Sequence, residues 1–557
     1  MDSSSSCRPE LTGGDGSDDF GKRADLYDRR VTTQKRWTLI CAVLGSSIVF
    51  LDSAVLPVAL NAIGREPRLF VDVLEGQNYI QYGYLLTLSA FLILAGALSD
   101  FFGRKRLFVI GLVGFGVTSL LCGIAPNTEL LIVARLLQGA TGAILVPGSL
   151  AILTTSFEGE EQGRAFGIWA GASGVAPILG PFVGGLLVDE LSWRAIFLLN
   201  LPFIAVAVWA ARRYVRESRD EKASGRFDWL GALLVALAVG GLSFGAIYGE
   251  QRQWRDPLAF VALGVGVLTT IALPLYFARK RDPLIPLEMF RSRNFSVTNL
   301  STLLIYGALY VSLLFQPIFM AGVLGYSPPA IGLGSIPGPL FLIFLSTRFG
   351  ALAARLGPKW FMTIGPLIMA AGLAWLARLP VDSQAWRLDI NDPSTYAPPW
   401  SYFVDVMPSS LAVGLGLAIM VAPLTTALMR SVPGRQAGLG SAVNNAISRV
   451  GPQLAGALIF VIVTASFYSS VAARVPGLDV NSAEVRAALP PLNAAAEGVP
   501  PEQAEASRIA SVESFHLAMI TSAVLLIVGA ATNAFGISNR QALRQRDSTE
   551  PTGGGLG

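Results

Sequence analysis

Three ionisable residues of this chain stand where a charge is expensive. Asp52, Arg135 and Arg449 lie inside long apolar runs. An ionisable residue within a membrane-crossing segment is costly, and is by default a functional-site hypothesis. Asp52 is the one carboxylate placed well inside such a run, about 10 residues from its end and so roughly 15 Å deep. Arg135 enters from the same side and lies roughly 9 Å deep by the same helical rise. A long guanidinium side chain covers that difference, so the two are expected to meet in a central cavity. Low dielectric disfavours the carboxylate charge and a nearby guanidinium favours it. A proton taken up by Asp52 would shift that balance and couple to a conformational change. The alternative is a static buried pair that orients helices.

Arg449 sits in a polar patch with Asn444, Asn445 and Ser448, which either reads a substrate or hydrogen-bonds between helices. Tyr306, Tyr310, Gln316 and Trp375 are further candidates for a cavity lining, although aromatic residues at helical spacing also serve packing.

Little else can do covalent chemistry. Cys7, Cys41 and Cys122 are too few and too scattered for a disulfide framework or a metal site. The single histidine, His516, is expected at an interface and leaves zinc and haem without ligands. No GxxxxGK[ST] loop occurs, so ATP hydrolysis is not expected and energy would come from an ion gradient. A lone deep acid suits a proton better than sodium. The expectation is therefore no enzyme, no cofactor and no metal. A net charge of +4 gives no reason to invoke nucleic acid.

These side chains need many membrane helices to hold them. Of 557 residues, 52% are hydrophobic and 14% charged, with a mean hydropathy of +0.54. A soluble domain carries about 25% charged residues. A run of about 20 apolar residues spans a bilayer as a helix. Fourteen such runs are predicted, at 37–63, 79–98, 107–125, 130–154, 163–188, 194–211, 229–248, 257–278, 296–320, 328–350, 360–379, 405–428, 436–468 and 514–536. Barrel strands alternate apolar and polar residues, and these runs do not. Residues 1–36 read as a disordered cytoplasmic tail, and 537–557 as a second tail.

Basic residues set the orientation. With the N-terminus inside, about 30 of the 42 Lys and Arg face the cytoplasm, including Arg104-Lys105-Arg106, Arg212-Arg213 and Arg279-Lys280-Arg281. Both termini are then cytoplasmic, and loops 380–404 and 469–513 face outward. Trp37, Trp193, Trp229, Trp254 and Trp400 fall at span ends, as interfacial aromatic residues do.

The chain also repeats itself. GALSDFFGRK (96–105) matches GALAARLGPK (350–359), and GPFVGG (180–185) matches GPQLAG (451–456). Gly163, Arg164 and Gly167 match Gly434, Arg435 and Gly438 at equal offsets. This predicts an N-terminal six-helix bundle at 37–211, a two-helix insert with its loops at 212–295, and a C-terminal six-helix bundle at 296–536. Parallel six-helix repeats around a central site are a transporter architecture.

Gly96 and Gly103 would permit a tight turn between the second and third spans. Asp100 lies at the membrane edge beside Arg104 and Lys105. An ion pair there would latch the two halves in one conformation; the plainer reading is a basic loop that sets topology. Ala354 replaces the acid in the second copy, so the latch is expected mainly in the first half. The fifth span carries Gly167, Gly171, Gly174, Gly180, Gly184 and Gly185 with Pro177 and Pro181. Small residues four apart let helix backbones touch, and proline kinks a helix.

These residues resemble those of the major facilitator superfamily, and within it the fourteen-spanner drug:proton antiporter branch. The resemblance runs over about residues 37–540. It rests on GALSDFFGRKR after span 2, LIVARLLQGATGA (131–143), GASGVAPILGPFVGG (171–185) and FLDSAVLPVAL (50–60), with WRAIFLLNLP (193–202) and VLGYSP (323–328) in support. It implies an all-α membrane fold of two six-helix bundles plus two extra helices. It implies proton-coupled export of small amphipathic compounds by alternating access in a cytoplasmic membrane, and the fifth-span motif marks exporters. The competing reading of the same fold is a nutrient or metabolite symporter or uniporter.

Overall fold

The computed structural model describes residues 16–64, 75–219, 227–251, 256–389, 392–496 and 498–539. Among them fourteen helices of 15 to 49 residues carry the fold, and no strand occurs. They are α1 (Gly16–Gly64), α2 (Glu75–Phe102), α3 (Arg104–Gly123), α4 (Thr128–Ser156), α5 (Gly159–Glu190), α6 (Asn200–Tyr214) and α7 (Trp229–Gln251). Then come α8 (Pro257–Arg279), α9 (Arg293–Phe319), α10 (Pro337–Leu356), α11 (Lys359–Leu376), α12 (Met407–Arg430), α13 (Ala437–Arg474) and α14 (Pro501–Gly536). Hydrocarbon offers backbone amides no partner, so a spanning segment closes its own hydrogen bonds as a helix.

Thirteen of these helices, some joined to a short neighbour, are long and apolar enough to cross a membrane. The expected fifth span, 163–188, lies within α5, which is not one of the thirteen; side chains 177–179, 181–182 and 189 of α5 lie outside the described residues.

Several boundaries differ from the sequence reading. The helix of the first span starts at Gly16, so residues 16–36, expected as disordered tail, are helical. Extending a nucleated helix costs far less than starting one. The sixth span is broken between Ala195–Leu198 and α6, where Pro202 lies in the first turn and its missing N–H costs nothing. The tenth is divided likewise, with Pro337 opening α10 after a short helix at Pro328–Gly334. The loop expected over 469–513 is shorter, because α13 runs to Arg474 and α14 starts at Pro501. Residues 502–513 are mostly Glu, Gln, Ala, Arg and Ser, so a polar helix continues past the bilayer.

The two halves repeat one packing plan. α1 packs on α5 and α6, α2 on α4, and α3 on α4 and α6; α9 packs on α13 and α14, α10 on α12, and α11 on α12 and α14. Between the halves, α2 meets α13 and α5 meets α10, which is again one contact and its repeat. The inserted α7 packs on α8 and also on α2 and α13, at the seam between the halves. α8 keeps most of its surface outward, as a lipid-facing helix does. Asp228 fastens the insert: its carboxylate accepts from the Gly231 N–H at 3.0 Å, the Tyr276 hydroxyl at 2.7 Å and the Leu284 N–H at 3.1 Å. Burial pushes this carboxyl up, but those donors and Lys280 outweigh it and hold it below the usual carboxylate range.

Candidate functional site

Asp52 of α1 and Arg135 of α4 meet in the interior of the first half. Both are buried, at 6% and 0% exposure. Arg135 Nη1 donates to Asp52 Oδ2 at 2.6 Å and to Gln138 Oε1 at 2.7 Å. Its Nε donates to the Ile80 carbonyl at 3.3 Å, and the guanidinium lies over the Tyr84 ring of α2, 4.1 Å from the centroid. The other carboxylate oxygen is also taken. Gln138 Nε2 and Asn200 Nδ2 each donate to Asp52 Oδ1 at 3.2 Å, and both donate to Ser119 Oγ of α3.

Five helices therefore converge on one carboxylate. Gln138, Asn200 and Ser119 were not singled out from the sequence, because neutral side chains in apolar runs carry little signal. One clue existed: Gln138 follows Arg135 by three residues and so shares its helix face.

The loop after α2 joins the two halves. Asp100 and Arg104 form a buried ion pair, with Arg104 Nε and Nη2 donating to Asp100 Oδ1 at 2.9 and 2.7 Å. The pair then reaches across the seam. Asp100 accepts the Gly438 and Leu439 N–H groups at 3.1 and 2.8 Å, which caps the N-terminus of α13. Helix N-termini bind anions because their first N–H groups are unpaired and their dipole is positive there. Arg104 Nη2 donates to the Gly434 and Arg435 carbonyls at 2.7 and 2.8 Å.

Lys105, expected in this latch, is not part of the pair. Its Nζ donates to the Arg212 carbonyl, while its backbone N–H and that of Arg106 bind Glu217. Position 105 follows the turn, so its side chain leaves toward the linker between the halves. Gly103 has φ +111°, and a Cβ there would meet Glu217 at 2.9 Å. Its repeat partner Gly357 also has positive φ, +86°.

The second copy is weaker at the same place. Ala354 offers no charge, and Arg355 instead pairs with Glu160 of α5 at 2.7 Å in an exposed position.

Glycines set how close these helices come. A Cβ on Gly96 would lie 2.4 Å from the Ala442 Cβ and 2.5 Å from the Gly438 carbonyl oxygen; one on Gly163 would lie 2.6 Å from the Gly350 carbonyl oxygen. Along α5, Gly167, Gly171 and Gly174 face α10, whereas Gly180 and Gly184 face Ala54 and Val55 of α1. The helix that touches the second half thus also presses on α1 beside Asp52. Gly185 lies in α5 with them, and the side chains of Pro177 and Pro181 lie outside the described residues.

A family model for the Major Facilitator Superfamily matches residues 38–456. The chain belongs to that superfamily. It is a multi-pass membrane transporter. It is 31% identical over 423 residues to the multidrug resistance protein Stp of Mycobacterium tuberculosis, covering 76% of this chain and 74% of that one. It is 31% identical over 425 residues to the tetracenomycin C resistance and export protein of Streptomyces glaucescens, covering 76% and 75%. The human organic anion transporter MFSD10 is similar in fold alone, with a TM-score of 0.52 at 14% identity over 91% of this chain and 99% of that one.

In this superfamily member the cavity candidates are spread out. Tyr306 and Tyr310 stack on α9 with centroids 6.3 Å apart. Gln316 Nε2 faces the Met320 sulfur at 3.8 Å, and Asn445 Nδ2 donates to the Ser441 carbonyl, both within one helix. Asn444 follows the interhelical reading, donating to Asn299 and Thr302 of α9. Arg449 is half-buried on α13. Trp375 Nε1 donates to the Val404 carbonyl and Arg378 stacks on its ring, at the end away from the latch. His516 is held at that same end, 2.8 Å from the Leu379 carbonyl oxygen.

Proposed function

We propose that this transporter exports small amphipathic molecules in exchange for protons, by alternating access, across the cytoplasmic membrane. The observation that carries the coupling is the Asp52 cluster. Its carboxylate accepts from Arg135, Gln138 and Asn200, so its charge is met by one cation and two amide donors. Protonation removes the charge that holds Arg135 and so weakens the contact between α1 and α4. α5 carries the change outward, since it touches α1 beside Asp52 and α10 across the seam.

The positive-inside pattern puts the latch end in the cytoplasm, together with both termini. The halves are joined at that end by Asp100 and Arg104, so this conformer faces outward. Protonation from outside, release of the latch and inward opening complete one stroke. Export rather than uptake is supported by the glycine-proline segment of α5 and by the resistance and export functions named for the relatives. The test is flux of ethidium, an amphipathic dye, in proteoliposomes under pH gradients of either sign. Accumulation against the dye gradient is expected only when protons flow the opposite way. Co-directional movement of dye and protons would favour a symporter and overturn the proposal.

A further inference from the structure

Arg449 is a mid-membrane cation with no counter-ion among the described residues. It lies 12 residues past Ala437, so about 18 Å along α13 from the latch end, near the middle of a hydrocarbon core about 30 Å thick. Among the described residues no hydrogen bond or ion pair reaches its guanidinium, and the residue is half-buried rather than sealed. Asp52 is already spent on Arg135, so Arg449 adds an unneutralised positive charge at that depth.

Its surroundings are those of a recognition site. α13 packs on α2 of the first half and on α9 of the second, with Gly451 against Leu303 and Gly307 of α9, so Arg449 stands at the seam where alternating access works. Tyr310 is 49% exposed and stacks on Tyr306, giving an apolar aromatic pair on α9, the helix packed against α13. Asn445 and Ser448 on the same helix bond only to their own backbone and to Ser441, so nothing there competes for the guanidinium. A cation at membrane depth without a protein partner is costly, and a planar guanidinium is matched by a carboxylate or sulfonate.

We infer that Arg449 receives an acidic group of the exported molecule, so that the preferred substrates are amphipathic anions whose aromatic part lies against Tyr310. This rests on the export reading and adds the substrate class. The Tyr84 ring stacks on Arg135 and its hydroxyl donates to the Val49 carbonyl of α1, and α13 packs on the same helix, α2, so the anion would dock next to the helices that hold the proton site.

The experiment compares three dyes in proteoliposomes with an outward-driving pH gradient: anionic 1-anilinonaphthalene-8-sulfonate, the neutral N-phenyl-1-naphthylamine and cationic ethidium. Wild-type protein should move the anion best. Arg449→Gln should lose on the order of tenfold for the anion and keep the neutral dye near the wild-type rate, as for one charge-assisted contact. Arg449→Lys should keep part of the anion transport. Equal loss for all dyes in Arg449→Gln, or a wild-type preference for the neutral or cationic dye, would overturn the inference and leave export standing. The wild-type preference decides the matter even if Arg449→Gln does not fold. Movement of none of the three by the wild type would overturn the export reading along with it.

Discussion

A carboxylate that holds three donors loosens its hold on all of them when a proton cancels its charge. Asp52 is in that position, and Arg135 is the donor with charge at stake. Asp52→Asn is therefore expected to abolish export driven by a pH gradient while exchange down a substrate gradient continues. Flux in proteoliposomes with and without the gradient checks this, and gradient-driven accumulation that survives the substitution refutes the assignment. Arg135→Ala leaves Asp52 buried without its counter-ion, which costs about 3–5 kcal/mol for a pair this enclosed. Thermal unfolding in detergent should show the loss. Arg135→Lys is expected to recover only part of it, because an ammonium cannot hold the Ile80 carbonyl, Asp52 and Gln138 in one plane or stack on Tyr84.

Between elements, the decisive contact is the cap that Asp100 of α2 places on α13. An amide at that position keeps the shape but loses the charge that suits Arg104 and the helix N-terminus. Asp100→Asn is expected to cost about 1–3 kcal/mol of the closed state and to slow turnover with normal expression. Wild-type turnover in a transport assay would leave the loop with a topological role alone. Gly96 makes the same point sterically. Gly96→Val would push its side chain into the Gly438 backbone and Ala442, so the halves cannot close at the latch end. A cysteine introduced at the buried Ser441 should then react with a maleimide that the wild-type seam excludes. Unchanged labelling would mean that the seam tolerates the side chain.

At the level of the whole molecule, the fourteen crossings expected from the sequence would return the chain to the side where it began. Tags at the two termini should both be cytoplasmic, and protease access to a C-terminal tag from outside intact cells would rule that out.

The hydropathy runs alone determined the helices and their order, because a bilayer admits hardly any other backbone structure. The matched glycines determined the repeat, and Gly96 does lie against Gly438 as Gly350 lies against Gly163. These properties are local: the cost of a polar group in hydrocarbon, or of a Cβ at a contact, is paid wherever the residue falls. Asp52 and Arg135 were legible for the same reason. Their neutral partners were not, since Gln138, Asn200 and Ser119 acquire a role only when α3, α4 and α6 bring them to one carboxylate. Tertiary structure alone decided that Lys105 turns away while Arg104 crosses the seam, and that Arg449 has no counter-ion among the described residues. Which charges meet depends on how helices far apart in the chain are packed, and hydropathy carries no record of that.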